Sequence, residues 1–102
     1  MNAIKKHWRK HAKLDAEHPI PQIICNDGFT MSVQAGSGWY CTPCEALESG
    51  NYTAWEIGYP SEKEPLIMKY AEDETCPIGT VYGYVLTDIV NAVIAKHGGV
   101  KE

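Results

Sequence analysis

Apolar and polar positions alternate most regularly between Phe29 and Ala35. Phe29, Met31, Val33 and Ala35 are separated by Thr30, Ser32 and Gln34. This period of two marks a strand with one buried and one wet face. Asn26-Asp27-Gly28, just before it, is a turn. A two-residue Asp-Gly loop would pair Cys25 with Thr30 and Ile23 with Ser32, which mixes the faces. A three-residue Asn-Asp-Gly loop pairs Cys25 with Phe29 and Ile23 with Met31, which gathers the apolar groups on one side. The second register is expected, with Gly28 as the left-handed residue of a bulged turn.

Other stretches carry their own periods. Residues 2–16 read as a helix. At 100° per residue, Lys5, Lys6, Arg9, Lys10 and Lys13 fall in one arc of about 140°. Leu14, His7, His11, Ile4, Trp8 and Ala12 lie opposite. His18-Pro19-Ile20-Pro21 ends that helix, because two prolines cannot continue it. Gly36-Ser37-Gly38 breaks the hairpin strand, and Trp39-Tyr40 reads as the start of another short strand. Pro43 and Glu48-Ser49-Gly50-Asn51 mark a loop. Thr53–Tyr59 alternates again and stops at Pro60. Residues 61–80 are acidic and turn-rich around Leu66-Ile67-Met68, and Val81–Leu86 is a further strand. Thr87 suits a helix N-cap with Asp88 in the first turn. Ile89, Val90, Val93, Ile94 and His97 keep helical spacing up to Gly98-Gly99. The expected fold is α+β. An antiparallel sheet of about three to five strands carries an N-terminal amphipathic helix and a C-terminal helix packed on one face. The division by composition is 1–18 for the basic helix and 19–102 for one α+β domain.

Charge sharpens this picture. Residues 1–18 hold five Lys/Arg against two Asp/Glu (+3), and the other 84 hold four against eleven (−7), making the net −4. A basic head on an acidic body implies self-compensation or two differently charged partner surfaces. The basic arc of Lys6, Arg9, Lys10 and Lys13 reads either as the solvated face of a docked helix or as an electrostatic contact. The partner would be nucleic acid, an acidic protein or a neighbouring subunit. A membrane-surface role is disfavoured because the apolar face is small and diluted by His. No apolar run reaches the roughly 20 residues of a membrane helix. No signal-peptide core follows the basic start, so a cytoplasmic setting with reduced thiols is expected.

The chemistry-bearing residues are sparse. Cys41-Thr42-Pro43-Cys44 beside Trp39 resembles the redox centre of thioredoxin-like proteins over about six residues, which keeps a thiol oxidoreductase open. Such a centre uses a helix N-terminus to stabilise the first thiolate. The same knuckle could hold zinc, with Cys25, Cys76 or a histidine completing the set. The spacing from Cys25 to Cys41 is long, however, and there is no second Cys-x-x-Cys. A disulfide between two of the four thiols, and four ordinary reduced cysteines, are the remaining readings. His7 and His11 share a helix face, but Trp8 stands where a metalloprotease helix needs Glu. There is no Gly-x-Ser-x-Gly elbow and no phosphate loop. No catalytic residue or resident cofactor is therefore expected. Trp55 and Tyr59 on one strand, and Tyr82 and Tyr84 on another, make a candidate protein-binding patch. Base stacking by these rings is opposed by the acidic body.

Several strings carry a resemblance: Asp27–Ala35, Tyr40-Cys41, Glu56–Ser61, Tyr70–Asp73, Val81–Val85 and His97-Gly98-Gly99. Over about residues 25–99 the chain resembles small bacteriophage- and prophage-encoded accessory proteins. The resemblance implies a bacterial cytoplasmic setting and an accessory role during infection. It further implies binding of a host or phage protein, with inhibition of host defence as the sharper form. The expectation is thus a non-enzymatic protein-binding domain, with a homo-oligomer left open. The alternative is a small zinc- or nucleic-acid-binding module using Cys41, Cys44 and the basic helix.

Overall fold

The computed structural model describes residues 2–11 and 19–102. In chain order it has helix α1 (Ala3–His11), strands β1 (Ile23–Ile24), β2 (Thr30–Gln34) and β3 (Ala54–Gly58), and a 3-10 helix (Pro65–Tyr70). Strand β4 (Val81–Leu86) and helix α2 (Thr87–Lys96) follow. The strands form an antiparallel sheet in the order β1-β2-β3-β4, and the expected α+β architecture is present. The expected helix over 2–16 is seen as Ala3–His11, with Asn2 just ahead of it; residues 12–16 lie outside the described residues.

The hairpin forms in the three-residue register. Ile23 pairs with Met31, Ile24 with Thr30, and the Cys25 N–H donates to Phe29 O at 2.8 Å. Gly28 takes φ +94°, a value that an L side chain resists. Met31 and Val33, Trp55 and Ile57, and Tyr82 and Val85 point inward from the three longer strands. Ile4 and Trp8 of α1, Ile67 of the 3-10 helix, and Val90, Val93 and Ile94 of α2 close over them. The basic helix thus shares the core of the rest of the chain. Trp8 meets the rings of Tyr52 and Trp55 edge-on at 5.4 and 5.5 Å. The N–H of Ile4 donates to Asn91 Oδ1 of α2 at 3.0 Å. The loop before β3 wraps Trp8, whose Nε1 donates to Leu47 O at 3.0 Å. Gly50 (φ +72°) is obligatory there, since a Cβ would sit 2.6 Å from Trp8 Cδ1.

Three local expectations change. Trp39-Tyr40 forms no strand; the loop meets the sheet through a Thr42–Ala54 bridge and through Tyr40, whose carbonyl accepts from Tyr84 N–H. Thr87 begins α2 but does not cap it. Its hydroxyl accepts from Trp55 Nε1 (2.9 Å) and donates to Tyr52 O (2.7 Å), so a core hydrogen bond claims the group that would cap. β4 also carries a bulge. Trp55 faces Val85 and Ile57 faces Tyr82, so Glu56 alone opposes Gly83 and Tyr84. Tyr84 adopts φ +56°. The extra residue turns Tyr84 outward and keeps Tyr82 and Val85 inward.

Candidate functional site

One groove combines charge with apolar surface. It has a volume of 390 Å³ and lies between α1, the β1 edge and residues 100–102. The last residues extend the sheet edge: Cys25 bridges to Val100, and the Lys101 N–H donates to Ile24 O at 2.8 Å. One wall carries Lys6, Lys10 and His11, and the opposite side carries Lys101 and Glu102. Ala3, Pro21, Ile24 and Val100 supply apolar surface between them. Lys6 reaches Glu102 at 3.4 Å, but both groups are exposed, and such a pair adds little to stability. His7 lies beneath, its Nε2–H donating to Pro21 O at 3.0 Å. Burial pulls its pKa below the ordinary 6.5; the Pro21 bond opposes this, while His11 and Lys10 add to it. His7 therefore orients the groove wall as a neutral ring, tilted against His11 at 4.7 Å.

The basic arc read from the sequence divides here. Lys6 and Lys10 line the groove, whereas Arg9 Nε donates to Ser49 O at 3.1 Å on the neighbouring loop. Lys13 lies outside the described residues.

A second cluster has no counterpart in the sequence reading. Glu64 is 1% exposed and His97 6% exposed. His97 Nε2 donates to Glu64 Oε1 at 2.8 Å and Nδ1 donates to Asp27 Oδ2 at 2.6 Å. Glu64 Oε2 accepts from Lys96 Nζ and from Leu66 N–H, both at 2.9 Å. Phe29 stacks on the imidazole at 4.0 Å and 9°. Burial disfavours the charge on His97, yet the Glu64 and Asp27 bonds outweigh it and raise its pKa above 6.5. Burial likewise disfavours ionised Glu64, but Leu66 N–H, Lys96 and His97 hold its pKa below 4.5. Both ring nitrogens are thus committed to carboxylates. The Asp–His–Glu row ties the hairpin turn, the 3-10 helix and the end of α2 together, and it offers no free nitrogen to a substrate. The Gly98-Gly99 stop supports the same junction: Gly99 N–H donates to Ile94 O (2.9 Å), and Asn26 Nδ2 donates to Gly98 O (2.7 Å).

This row sets a pH dependence. The raised His97 pKa gives stability that is full below 6.5 and lost as pH rises through the folded value. The depressed Glu64 pKa gives stability present above 4.5 and lost as pH falls through its folded value. A melting-temperature profile should therefore be a dome falling on both sides, and His97→Gln should flatten its neutral-to-alkaline limb. An alkaline limb unchanged by that substitution would refute the assignment.

The remaining expected residues are spread through the fold. Cys41 and Cys44 lie in the irregular loop between β2 and β3, Cys25 is buried beside the hairpin turn, and Cys76 is exposed in the loop before β4. Among the described residues, no group of three or more His, Cys, Asp or Glu is placed to hold a metal ion. No helix begins at Cys41-Thr42-Pro43-Cys44, so the helix N-terminus of a thioredoxin-like centre is not built here. The aromatic patch needs correction. Trp55 and Tyr82 are completely buried and present no surface, while Tyr59 and Tyr84 are 57% and 54% exposed. Strand alternation fails at both outward tyrosines because Tyr59 (φ +50°) and Tyr84 (φ +56°) are left-handed. Tyr40, which sequence reasoning left out of the patch, lies 6.0 Å from Tyr84.

No family model matches the chain, and no curated protein and no solved structure matches it either. Among the described residues, no helix is long and apolar enough to cross a membrane.

Proposed function

We propose that the protein is a non-enzymatic binding module that holds an acidic, partly apolar segment of a partner protein in the groove beside α1. The observation that supports this is the placement of Lys6, Lys10 and Lys101 around the apolar Ala3, Ile24 and Val100 in a single 390 Å³ groove. Carboxylates of a bound segment meet the ammonium groups, and its apolar side chains cover Ile24, which is otherwise half exposed. The resemblance to phage and prophage accessory proteins favours a host or phage protein as the partner, with inhibition of host defence as the sharper form. Nucleic acid is the second reading, supported by the same lysines. The −7 charge of residues 19–102 opposes it.

The test is a titration with a labelled peptide of alternating Glu and Leu, its Gln–Leu counterpart, and a short single-stranded oligonucleotide. The Glu peptide should bind best. Lys6→Glu with Lys10→Glu should weaken it by about tenfold or more, roughly 1.4 kcal/mol, while Lys63→Glu should not. Equal binding of the two peptides would refute the groove reading. Submicromolar oligonucleotide binding with a steep salt slope, lost in the double variant, would replace it with the second. A second copy offering Glu72-Asp73-Glu74 is the competing occupant and would show as a mass that rises with protein concentration.

A further inference from the structure

The loop between β2 and β3 places two thiols unequally around one carbonyl. Cys41 Sγ lies 3.2 Å from Gly36 O, and Cys44 Sγ lies 3.9 Å from the same oxygen and 3.3 Å from Ser37 O. Gly36 N–H donates to Cys41 Sγ at 3.2 Å. Both sulfurs thus lie within 4 Å of the one Gly36 oxygen. Cys41 is buried and Cys44 is exposed. We propose that Cys41 and Cys44 are a reversible thiol–disulfide modification site, in which Cys44 reacts first with a low-molecular-weight disulfide and Cys41 resolves the product.

The order follows from access. A thiol must meet the incoming disulfide as a thiolate, so exposure and thiolate fraction decide which sulfur reacts. Burial raises the Cys41 pKa; the Gly36 N–H opposes that shift, and Cys44 and Glu56 add to it. Cys44 thiolate attacks one sulfur of oxidised glutathione. The glutathione S–S bond breaks, one glutathione thiolate leaves, and a mixed disulfide stands on Cys44. Cys41 then attacks the Cys44 sulfur and passes its proton to the departing second glutathione. The two protein sulfurs are oxidised, and the reagent is reduced to two thiols. This order is the reverse of a thioredoxin-like centre, where the first cysteine of the motif attacks.

The lock acts on a surface. Tyr40 lies inside this loop. Its N–H donates to Glu56 Oε1 at 3.1 Å, and its carbonyl accepts from Tyr84 N–H at 3.0 Å. Cross-linking Cys41 to Cys44 therefore stiffens the loop that holds Tyr40 against Tyr84 of β4. The site is separate from the groove and does not rest on what the groove binds.

The experiment uses the full chain with Cys76→Ser, which removes the other exposed thiol. Folded protein is incubated with oxidised glutathione and followed by mass spectrometry and by amide exchange. The expected product has lost two hydrogens and retains no glutathione. Exchange at Tyr84 should slow at least several-fold, and dithiothreitol should reverse both changes. Adding Cys44→Ser, an exposed substitution, should abolish reaction in the native state, whereas adding Cys41→Ser should leave a stable glutathione adduct on Cys44. A persistent adduct on the parent would overturn the proposal by showing that Cys41 cannot resolve it. So would a Cys44→Ser protein that reacts as fast as the parent, or no reaction at all.

Discussion

Glu64→Ala is expected to destabilise the fold by about 3–5 kcal/mol, the range for breaking a buried ion pair by removing one partner. The carboxylate is almost fully enclosed and serves three donors at once: His97 Nε2, Lys96 Nζ and the Leu66 N–H. Its loss leaves a buried imidazole whose remaining carboxylate, Asp27, is half exposed. It also removes the side-chain cap of the 3-10 helix. Lys96 is the least affected partner, because its ammonium is already 45% exposed and returns to water. Glu64→Gln keeps an acceptor for Leu66 and should lose less. Lys96→Met should lose less still, about 1 kcal/mol or below. Urea unfolding of the three variants checks the ranking. A Glu64→Ala loss no greater than that of Lys96→Met would mean that the enclosed charge does not anchor this junction.

The fold was legible where the period was clean and the turn chemistry specific. Phe29 to Ala35 fixed a face, Asn26-Asp27-Gly28 fixed a register, and Gly98-Gly99 fixed a helix end, because each is a local constraint. The Glu64–His97–Asp27 row was not legible. Its members stand 33 and 70 positions apart, and each has an adequate local explanation: a loop carboxylate, a helical His and a turn Asp. Tyr84 failed for a different reason. Alternation assumes an unbroken ladder, and one extra residue opposite Glu56 reverses the face of everything beyond it. The groove was half legible. Periodicity placed Lys6 and Lys10 on one helix face, but only chain reversal at Gly98-Gly99 brings Val100 and Lys101 across from them.

Trp55→Ala should lower stability by about 3–5 kcal/mol, the usual cost of emptying a large aromatic site in a core. Trp55 has no solvent exposure and sits where both helices meet the sheet. Its ring meets Trp8 of α1 at 5.5 Å and Tyr52 at 5.0 Å, and its Nε1 donates to Thr87 Oγ1 at the start of α2. The collapse that would fill the space has to draw on Trp8, yet Trp8 is held by Leu47 O and backed by Gly50. Relaxation is therefore restricted and most of the cavity should persist. Trp55→Phe keeps much of the volume and loses the Thr87 bond, so it should cost about 1–2 kcal/mol. The effect should also reach function, because α1 is both the lid on Trp55 and the wall of the basic groove. At a temperature where Trp55→Ala remains folded, amide exchange in α1 should quicken and binding of the Glu–Leu peptide should weaken. Trp55→Phe should change both only slightly. If exchange in α1 quickens and binding stays intact, Lys101 and the sheet edge hold the segment without the helix. If neither changes, α1 is anchored without Trp55, through the Ile4–Asn91, His7–Pro21 and Trp8–Leu47 bonds.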